Sequence, residues 1–427
     1  MTRLAKAPLG VRILIGLLLG VAAGMLLPRP GAGQWSDDIA NVAHIAGQLW
    51  LSALQMTVLP LVFALLTMGL GGASGISAEG SSIARRSIFV FAALYSLALA
   101  VAVVLNFLLL SVWPVSDAAI AAFQKLAGNA VQAQAPNAGD IILTLVPSNI
   151  FAALASGSMI PVVVFAILFG LALRHVDEKH RGPIASLIES IASVMFKIVT
   201  WVLMLAPLGV FALVLATAHE TGLAVIWGLA GYLRHLVTIA AVMLALAYPV
   251  AVLWGRIPLV RFASGATSSQ LVAVSTQSSV GSLPVMLEAS RTLEIGDEVA
   301  GVSLPLAVSI FRFSGPALTL SVGAYAASIA GLHIGIAQMV GGAILSLLVE
   351  FTAVGLPTQV SFFALYAPVF AAFGAPLGFL PVMLAVETIP DAVGTAANVS
   401  MDLAATAVVD RGRRRAATER PGEMQLA

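Results

Sequence analysis

Long apolar stretches recur along the whole chain, and they constrain its fold more than any other feature. A helix needs about 20 apolar residues to cross a bilayer, so each stretch predicts a transmembrane helix. Composition agrees, because 59% of the 427 residues are hydrophobic and 10% are charged, against about 25% charged residues in soluble domains. The predicted spans lie near residues 11–28, 43–72, 83–113, 140–174, 186–218, 223–255, 297–327 and 376–410.

Two further apolar stretches, near 259–290 and 333–371, are each interrupted by a short segment rich in Ser, Gly and Pro, at 275–284 and 353–359. This pattern favours a re-entrant helical hairpin, because irregular backbone at membrane depth is tolerated only where protein buries it or water lines it. A pair of kinked spans or short loops is the alternative. The predicted fold class is therefore an all-α polytopic membrane protein with eight transmembrane helices and two re-entrant hairpins.

The distribution of Lys and Arg predicts the orientation of the chain. With eight spans, and with hairpins that return to their own side, most Lys and Arg residues outside the spans fall on the side of both termini. Cytoplasmic loops carry this excess, so both termini are predicted to be cytoplasmic, in a bacterial inner (plasma) membrane. The connection at 114–139 is then an extracellular loop, and residues 411–427 form a basic cytoplasmic tail.

Several classes of function are disfavoured by composition. The absence of cysteine excludes disulfides, iron–sulfur clusters and thiolate zinc sites. A net charge of +1, without a basic patch interleaved with aromatic residues, argues against nucleic-acid binding. An intramembrane enzyme would need a nucleophile–base pair, but His175, His180 and His219 are predicted to lie in loops. No enzymatic activity and no cofactor are therefore predicted.

The last span carries polar residues at helical spacing. Asp391, Thr395, Asn398 and Asp402 follow steps of four, three and four, so they share one helix face, with Glu387 one turn earlier. Carboxylates are costly inside a membrane. This face must therefore meet a cation, a polar substrate or a buried basic partner. The alternative is a structural polar seam that packs against another helix.

Arg312 precedes a Gly-Pro pair at 315–316 in the middle of a span. Proline interrupts a helix and frees carbonyl groups that can hold a cation. Arg312 is either a bidentate ligand for a substrate carboxylate or a fixed counter-ion for Glu350, Asp391 or Glu387. Glu350 is likewise either a proton or cation site, or the partner of Arg312.

Taken together, these residues resemble the dicarboxylate/amino acid:cation symporters, the glutamate-transporter family, of which the chain looks like a divergent member. The similarity runs through most of the chain. It is carried by the segments 59–64, 146–155 and 205–212, by the serine-rich tip 278–284 that ends in Leu-Pro, and by the polar series of the last span.

The resemblance implies a homotrimer with an elevator mechanism. In each protomer a scaffold would surround a mobile transport domain, and the two hairpin tips would act as gates over the substrate. The resemblance assigns residues 1–82 to scaffold spans one and two, and 83–113 to the third span, which belongs to the transport domain. It assigns 140–218 to scaffold spans four and five, and 219–410 to the transport domain with both hairpins.

The resemblance also implies roles for residues of the last span. Asp391 would hold a substrate amino group, and Thr395 and Asn398 would contact its polar groups. Asn398 and Asp402 would coordinate a sodium ion.

The two hairpin tips contribute the remaining candidate residues. Ser278 and Ser279, in the first tip, offer hydroxyl and backbone N–H groups to an anion. In the second tip, Gly355 and Pro357 would shape a flexible gate. With these tips, the predicted substrate site comprises Ser278, Ser279, Arg312, Gly355, Pro357, Asp391, Thr395 and Asn398.

The chain departs from the family pattern at four places. Members with acidic substrates carry an arginine where this chain has Gly394, and some carry an arginine in the first hairpin, where Gln277 precedes the serines. The family's Asn-Met-Asp-Gly-Thr segment, part of two cation sites, is replaced by 311–316, and bulkier residues occupy 358–360. At least one sodium site is therefore expected to be lost.

The functional hypothesis is a secondary active symporter for a small amino acid or related carboxylate, driven by sodium or protons. Asp391 favours a substrate with an ammonium group, because an unpaired carboxylate there would be costly. Glu350 and Glu387 are candidates for carrying a proton. The alternative is a cation-uncoupled channel or a transport-dead substrate sensor of the same fold.

Overall fold

A computed structural model of the chain describes residues 9–28, 30–31, 33–71, 81–127, 149–155, 159–350 and 358–419. All regular secondary structure in these ranges is helical, which confirms the predicted all-α class. The α-helices are α1 Leu9–Leu26, α2 Gln34–Gly71, α3 Ser81–Val112, α4 Asp117–Ala127, α5 Ile150–Ala155, α6 Met159–Leu173, α7 Glu178–Met204, α8 Ala206–Thr221, α9 Ala224–Pro249, α10 Leu259–Thr276, α11 Ser279–Thr292, α12 Asp297–Ile310, α13 Gly315–Ile329, α14 Ile336–Glu350, α15 Thr358–Phe373, α16 Leu380–Leu384 and α17 Thr388–Glu419.

Within the described ranges, five helical segments are long and apolar enough to cross a membrane. They are Ser82–Val112, Glu178–Met204, Ala224–Trp254, Asp297–Ile329 and Thr388–Arg413. Shorter apolar helices accompany them, including Arg12–Leu26 and Ile336–Glu350. The chain is therefore a multi-pass membrane protein, whereas the count of eight spans and the re-entrant path of the hairpins stay predictions.

Two of the predicted spans are each divided into separate helices. The single span predicted at 186–218 is wrong, because α7 ends at Met204 and α8 begins at Ala206. Pro207 accounts for the break: it has no N–H to donate, and its ring clashes with the carbonyl four residues earlier. The single helix predicted at 376–410 is also wrong, because a short 3₁₀ turn at Leu377–Phe379, then α16, precede α17.

Two smaller differences concern helix ends and a connection. The predicted extracellular loop at 114–139 contains α4, whose first turn carries Asp117 and whose last turn carries Lys125, charges that complement the helix dipole. The last helix extends past the predicted end at 410 to Glu419. By contrast, the interruption predicted from the Gly-Pro pair is confirmed, since α12 ends at Ile310 and α13 begins at Gly315.

Contacts between Cα atoms divide the chain into two units. The first comprises Met1–Ala73, Leu105–His235 and Thr319–Thr388. Within it, α1 packs closely on α8 through a stripe of glycines, as in membrane helix pairs in which small residues let backbones approach. A Cβ atom added at Gly16, Gly20 or Gly24 would lie 2.3, 2.6 or 2.5 Å from the carbonyl oxygen of Pro207, Phe211 or Leu215, respectively.

The second unit comprises Ser74–Val104, Leu236–Leu318 and Ile389–Ala427. In it, α10 and α11 are joined by two residues and pack against each other, and α11 packs on α12. A buried cluster of Ile83, Val299 and Val409 links α3, α12 and α17. In the last two turns of α17, Arg413 forms an ion pair with Glu298 at 2.6 Å. The predicted scaffold and transport domains stay predictions.

Candidate functional site

The polar stripe of the last span lies on one long helix, α17. Asp391 is half-buried near its start, whereas Thr395, Asn398 and Asp402 are 5%, 4% and 0% exposed. The Thr395 hydroxyl donates to the Asp391 carbonyl at 2.8 Å, a bond within the helix that does not use the Asp391 carboxylate. The stripe is therefore an interior feature of the folded chain rather than a lipid-facing one.

Asp402 is the most deeply buried acid of the stripe. Neither of its carboxylate oxygens has a hydrogen-bond partner among the described residues. Its backbone carbonyl accepts a hydrogen bond from the Thr406 hydroxyl at 2.7 Å. An ionised carboxylate buried without a partner costs several kcal/mol (order of magnitude). Asp402 therefore needs a proton or a cation from outside the described side chains.

Asn398 fixes the interruption between α12 and α13. The backbone N–H of Ser314 donates to Asn398 Oδ1 at 2.7 Å. The Ser314 hydroxyl lies 2.9 Å from both Asn398 Oδ1 and the Gly394 carbonyl oxygen. It has one proton, so it donates to only one of these acceptors at a time. A carbonyl-type oxygen has two lone pairs. When the hydroxyl turns to Gly394, Asn398 therefore keeps one lone pair for a cation.

Aromatic residues surround the irregular segment itself. The buried Phe311 ring stacks on Phe91 with centroids 4.3 Å apart and an interplanar angle of 5°, and it meets Tyr95 edge-on at 5.0 Å. The Tyr95 hydroxyl donates to the Ile310 carbonyl at 3.0 Å and accepts from the Arg312 N–H at 2.8 Å. One carbonyl freed by the interruption is thus satisfied by a phenol. Arg312 itself is half-buried.

Gly394 is a point of close approach between α17 and α13. A Cβ atom there would lie 2.6 Å from Leu318 Cδ1 and 3.2 Å from Ser314 Oγ. The Leu318 methyl group therefore occupies the space in which a longer side chain on α17 would begin. Position 394 therefore lacks the arginine that the resemblance predicts. In the same unit, Arg312 lies in the segment between α12 and α13.

The first hairpin tip is held by its own serine. Gln277 adopts a left-handed conformation with φ of 53°, and Ser278 caps α11 by accepting the Gly281 N–H at 3.0 Å. Among the described residues the Ser278 hydroxyl proton has no acceptor, because in this cap the oxygen only accepts a hydrogen bond. Ser278 and Ser279 are half-buried. Gly355 and Pro357, predicted at the second tip, lie outside the described residues.

Glu350 and Glu387 both lie in the first unit, and each is 4% exposed. Glu350, the last residue of α14, accepts a hydrogen bond from the Thr319 hydroxyl at 2.8 Å. Glu387 lies in the turn before α17 rather than on the helix. Its Oε2 accepts from the Tyr232 phenol at 2.6 Å, and its Oε1 accepts from the Tyr366 phenol at 2.8 Å. The other described candidates lie in the second unit.

Comparison with known proteins identifies the family. The model of the sodium:dicarboxylate symporter family matches residues 9–412. The chain belongs to this family. The family and the relatives found are transporters, so the prediction that the chain is not an enzyme is confirmed, as is the resemblance seen in its motifs.

Three relatives of this symporter-family chain span nearly its full length. A proton/glutamate-aspartate symporter from Escherichia coli K12 is 29% identical over 95% of this chain and 92% of its own. A C4-dicarboxylate transport protein from Anaeromyxobacter sp. strain K is 25% identical over 91% and 85%. A proton/sodium-glutamate symport protein from Bacillus subtilis 168 is 25% identical over 95% and 93%.

Sequence reasoning missed a neutral polar cluster in this symporter-family chain. A His235 ring nitrogen lies 2.8 Å from Asn106 Oδ1, and the Asn106 amide donates to the Ser321 hydroxyl at 2.9 Å. All three side chains are buried, with exposures of 2% or less. A search for charges inside spans overlooks such residues. The available signal was the position of these polar residues within the predicted spans 83–113, 223–255 and 297–327.

Proposed function

We propose that the protein is a secondary active symporter that carries a small amino acid or related carboxylate together with sodium or a proton. The observation that carries this proposal is Asp402, a fully buried carboxylate without a hydrogen-bond partner among the described residues, on the same helix as Asp391, Thr395 and Asn398. Such a group is stable only when it binds a cation or a proton. A transporter that must hold its coupling ion during passage needs a group with this property.

The cation end of the site is assigned to Asp402 and Asn398. Asp402 supplies the charge, and Asn398 Oδ1 supplies a neutral oxygen whose second lone pair depends on the Ser314 hydroxyl. Sodium is a hard cation, which oxygen ligands suit. This assignment accords with the family description, which names sodium, whereas the names of individual relatives include proton-coupled transport.

The substrate end is assigned to the more exposed start of α17 and to the first tip. Asp391 binds the substrate ammonium group, and Thr395 contacts a neighbouring polar group. Arg312 and the Ser278–Ser279 tip bind a carboxylate, Arg312 through its planar guanidinium. The three relatives are named for glutamate, aspartate or C4-dicarboxylates, and with Gly394 uncharged this chain needs another source of positive charge for such substrates.

The transport movement is proposed to be the elevator motion implied by the resemblance, within a homotrimer in the inner membrane. The hairpin α10–α11 and the pair α14–α15 would open and close access to the substrate. The half-exposed tip at Ser278 accords with a gate that faces water in at least one state.

Uptake into proteoliposomes tests the proposal. The purified full-length protein is reconstituted, and labelled small amino acids, aspartate, glutamate and succinate are supplied with an inward sodium gradient, an inward proton gradient or neither. Accumulation of at least one substrate above its equilibrium level is expected only with a gradient. Equilibration without accumulation would identify a channel, and binding without uptake would identify a sensor.

Two substitutions separate the roles open to Arg312. Arg312→Ala should abolish carboxylate binding if the guanidinium is a ligand, and Arg312→Lys, which keeps the charge but loses the bidentate geometry, should weaken it less. Unchanged affinity combined with a lower unfolding temperature in Arg312→Ala would instead identify a counter-ion.

A further inference from the structure

The turn before α17 holds a buried carboxylate between two phenols. Glu387 is 4% exposed and Tyr232 is fully buried. The Tyr232 hydroxyl donates to Glu387 Oε2 at 2.6 Å, a distance within the ordinary range for O–H···O hydrogen bonds. Tyr366 donates to the other oxygen at 2.8 Å. Both carboxylate oxygens are thus solvated by side chains rather than by water.

We propose that Glu387 is the site that binds the coupling proton, with Tyr232 and Tyr366 as partners that reverse their hydrogen bonds when it does. This inference rests on the proposed symport function and specifies its coupling ion. A phenol both donates and accepts, so the same two neighbours can satisfy Glu387 in either charge state.

The proton balance of the step is simple. A proton from the outer solution binds one carboxylate oxygen, and the phenol that had donated to that oxygen now accepts the new O–H through its own lone pair. That phenol thereby exchanges the hydrogen bond that it donated for one that it accepts, so the number of hydrogen bonds to Glu387 does not change. Release of the same proton to the inner solution restores the starting arrangement, so no other reactant is consumed.

The location of Glu387 connects its charge to the transport machinery. Tyr232 lies on α9, Tyr366 lies on α15, the helix that follows the predicted second tip, and Glu387 directly precedes α17. A change in the two hydrogen bonds therefore acts on a hairpin helix and on the helix that carries Asp391 at the same time. Sodium at Asp402 would not require this rearrangement.

Other ionisable groups lie on the helices around this cluster. The Tyr325 ring of α13 lies 5.7 Å from the Tyr232 ring and 5.6 Å from the His235 ring. On α9, the Arg234 guanidinium lies 4.4 Å from the centroid of the Trp113 ring. Glu350 lies at the end of α14. In the last turn of α8, His219 pairs with Asp37 and Glu220 pairs with Lys125. Asp391 lies four residues after Glu387, in the first turn of α17. The hydrogen bonds described for Glu387 come from two phenols.

The test measures substrate binding and gradient-driven uptake across pH in the full-length protein. In the wild type, substrate affinity should change about tenfold per pH unit on the alkaline side of its midpoint, because one proton binds with the substrate. Glu387→Gln, which is isosteric and cannot titrate, should flatten this dependence and lose accumulation driven by a proton gradient. Tyr366→Phe should displace the pH profile without flattening it.

Matched variants and the wild type separate the possible failures. Tyr325→Phe removes a comparable buried hydrogen bond, to the Gly228 carbonyl at 2.8 Å, and should leave the pH profile in place. A Glu387→Gln protein that keeps its pH dependence and proton-driven accumulation would overturn the inference. So would a wild type that accumulates substrate only with sodium, although symport itself would stand. A wild type that accumulates nothing under any gradient would overturn the proposed function instead.

Discussion

Two buried acids near the C-terminal end of the chain have opposite surroundings. Glu387 lies in a turn, and each of its oxygens accepts a hydrogen bond from a tyrosine. Asp402 lies in the middle of α17, fully buried, and neither of its oxygens has a hydrogen-bond partner among the described residues. Both would be costly as unpaired charges in a membrane. The fold provides hydrogen-bond donors for Glu387, whereas Asp402 needs a bound proton or cation.

These surroundings suit the two acids to different ions. Asp402 lacks described partners that a cation would have to displace, so an entering sodium ion gains the full attraction of the carboxylate. Glu387 already has two donors, and a sodium ion would compete with both of them. A proton competes with neither, because phenols can turn from donors into acceptors. The two acids are therefore expected to respond in opposite directions to removal of their charge.

Glu387→Leu should cause the greatest loss of stability. The substitution removes the Glu387 oxygen to which each of the two buried phenols donates, and each lost acceptor costs about 1–3 kcal/mol, so a loss of about 3 kcal/mol is expected. Reversible denaturation in mixed detergent measures the free energy of unfolding. Adding Tyr232→Phe and Tyr366→Phe to Glu387→Leu should restore part of the loss, since the unsatisfied groups are then gone. Equal stability of Glu387→Leu and wild type would contradict a stabilising role for the two hydrogen bonds from the phenols to Glu387.

Asp402→Asn should give the second largest effect, on the response to sodium rather than on basal stability. The wild type should gain about 2.7 kcal/mol at a sodium concentration 100 times its dissociation constant, and the variant should gain almost nothing. In sodium-free buffer the variant should be at least as stable as the wild type, because a buried charge without a partner is removed. Unfolding temperatures with sodium and with potassium give both comparisons. An unchanged sodium response would remove Asp402 from the cation site.

The same residues show which features of the site could be predicted from the sequence and which could not. The stripe on α17 was predictable because its members lie on one helix, and helical spacing alone places them on one face. The interruption after Ile310 was predictable from the chemistry of one Gly-Pro pair. The partners of Glu387 were not predictable in this way, because Tyr232 is 155 residues away in the chain. Periodicity orients a side chain but does not identify which distant helix it meets.

The break before α17 illustrates a second limit. Apolar residues predominate from 376 to 410, and this favoured one continuous helix. The structure instead ends α16 at Leu384 and places Glu387 in a turn, where the acid meets its two phenols. Pro390 supports the new start, since proline is favoured in the first turn of a helix. An apolar count over a window cannot detect such a break, whereas helix-start signals could have done so.

Asn398→Ala tests the neutral neighbour of Asp402 and should have a smaller effect. It leaves the buried Ser314 N–H without its acceptor, which costs about 1–2 kcal/mol of stability. It also removes one proposed sodium ligand, so the sodium concentration needed for half-maximal stabilisation should rise. Ser314→Ala is the matched control, because it removes the competing hydroxyl and leaves the backbone N–H bonded to Asn398. Ser314→Ala should therefore retain sodium binding, and a loss equal to that of Asn398→Ala would contradict the proposed role of the amide oxygen.

The smallest expected effect concerns the close contact between α17 and α13 at Gly394. In Gly394→Ala the new methyl group would lie 2.6 Å from Leu318 Cδ1, and pushing that flexible side chain aside should cost about 1 kcal/mol. The double variant Gly394→Ala/Leu318→Ala should cost less than the sum of the two single changes, because the second removes the atom that clashes with the first. Sodium-dependent stabilisation should be the same in Gly394→Ala as in the wild type, since the substitution touches neither oxygen of Asp402. A strong loss of the sodium response in Gly394→Ala would mean that cation binding depends on the spacing of α17 and α13 rather than on the unpartnered carboxylate of Asp402. The proposed preference of Asp402 for sodium and of Glu387 for a proton would then need a different physical cause.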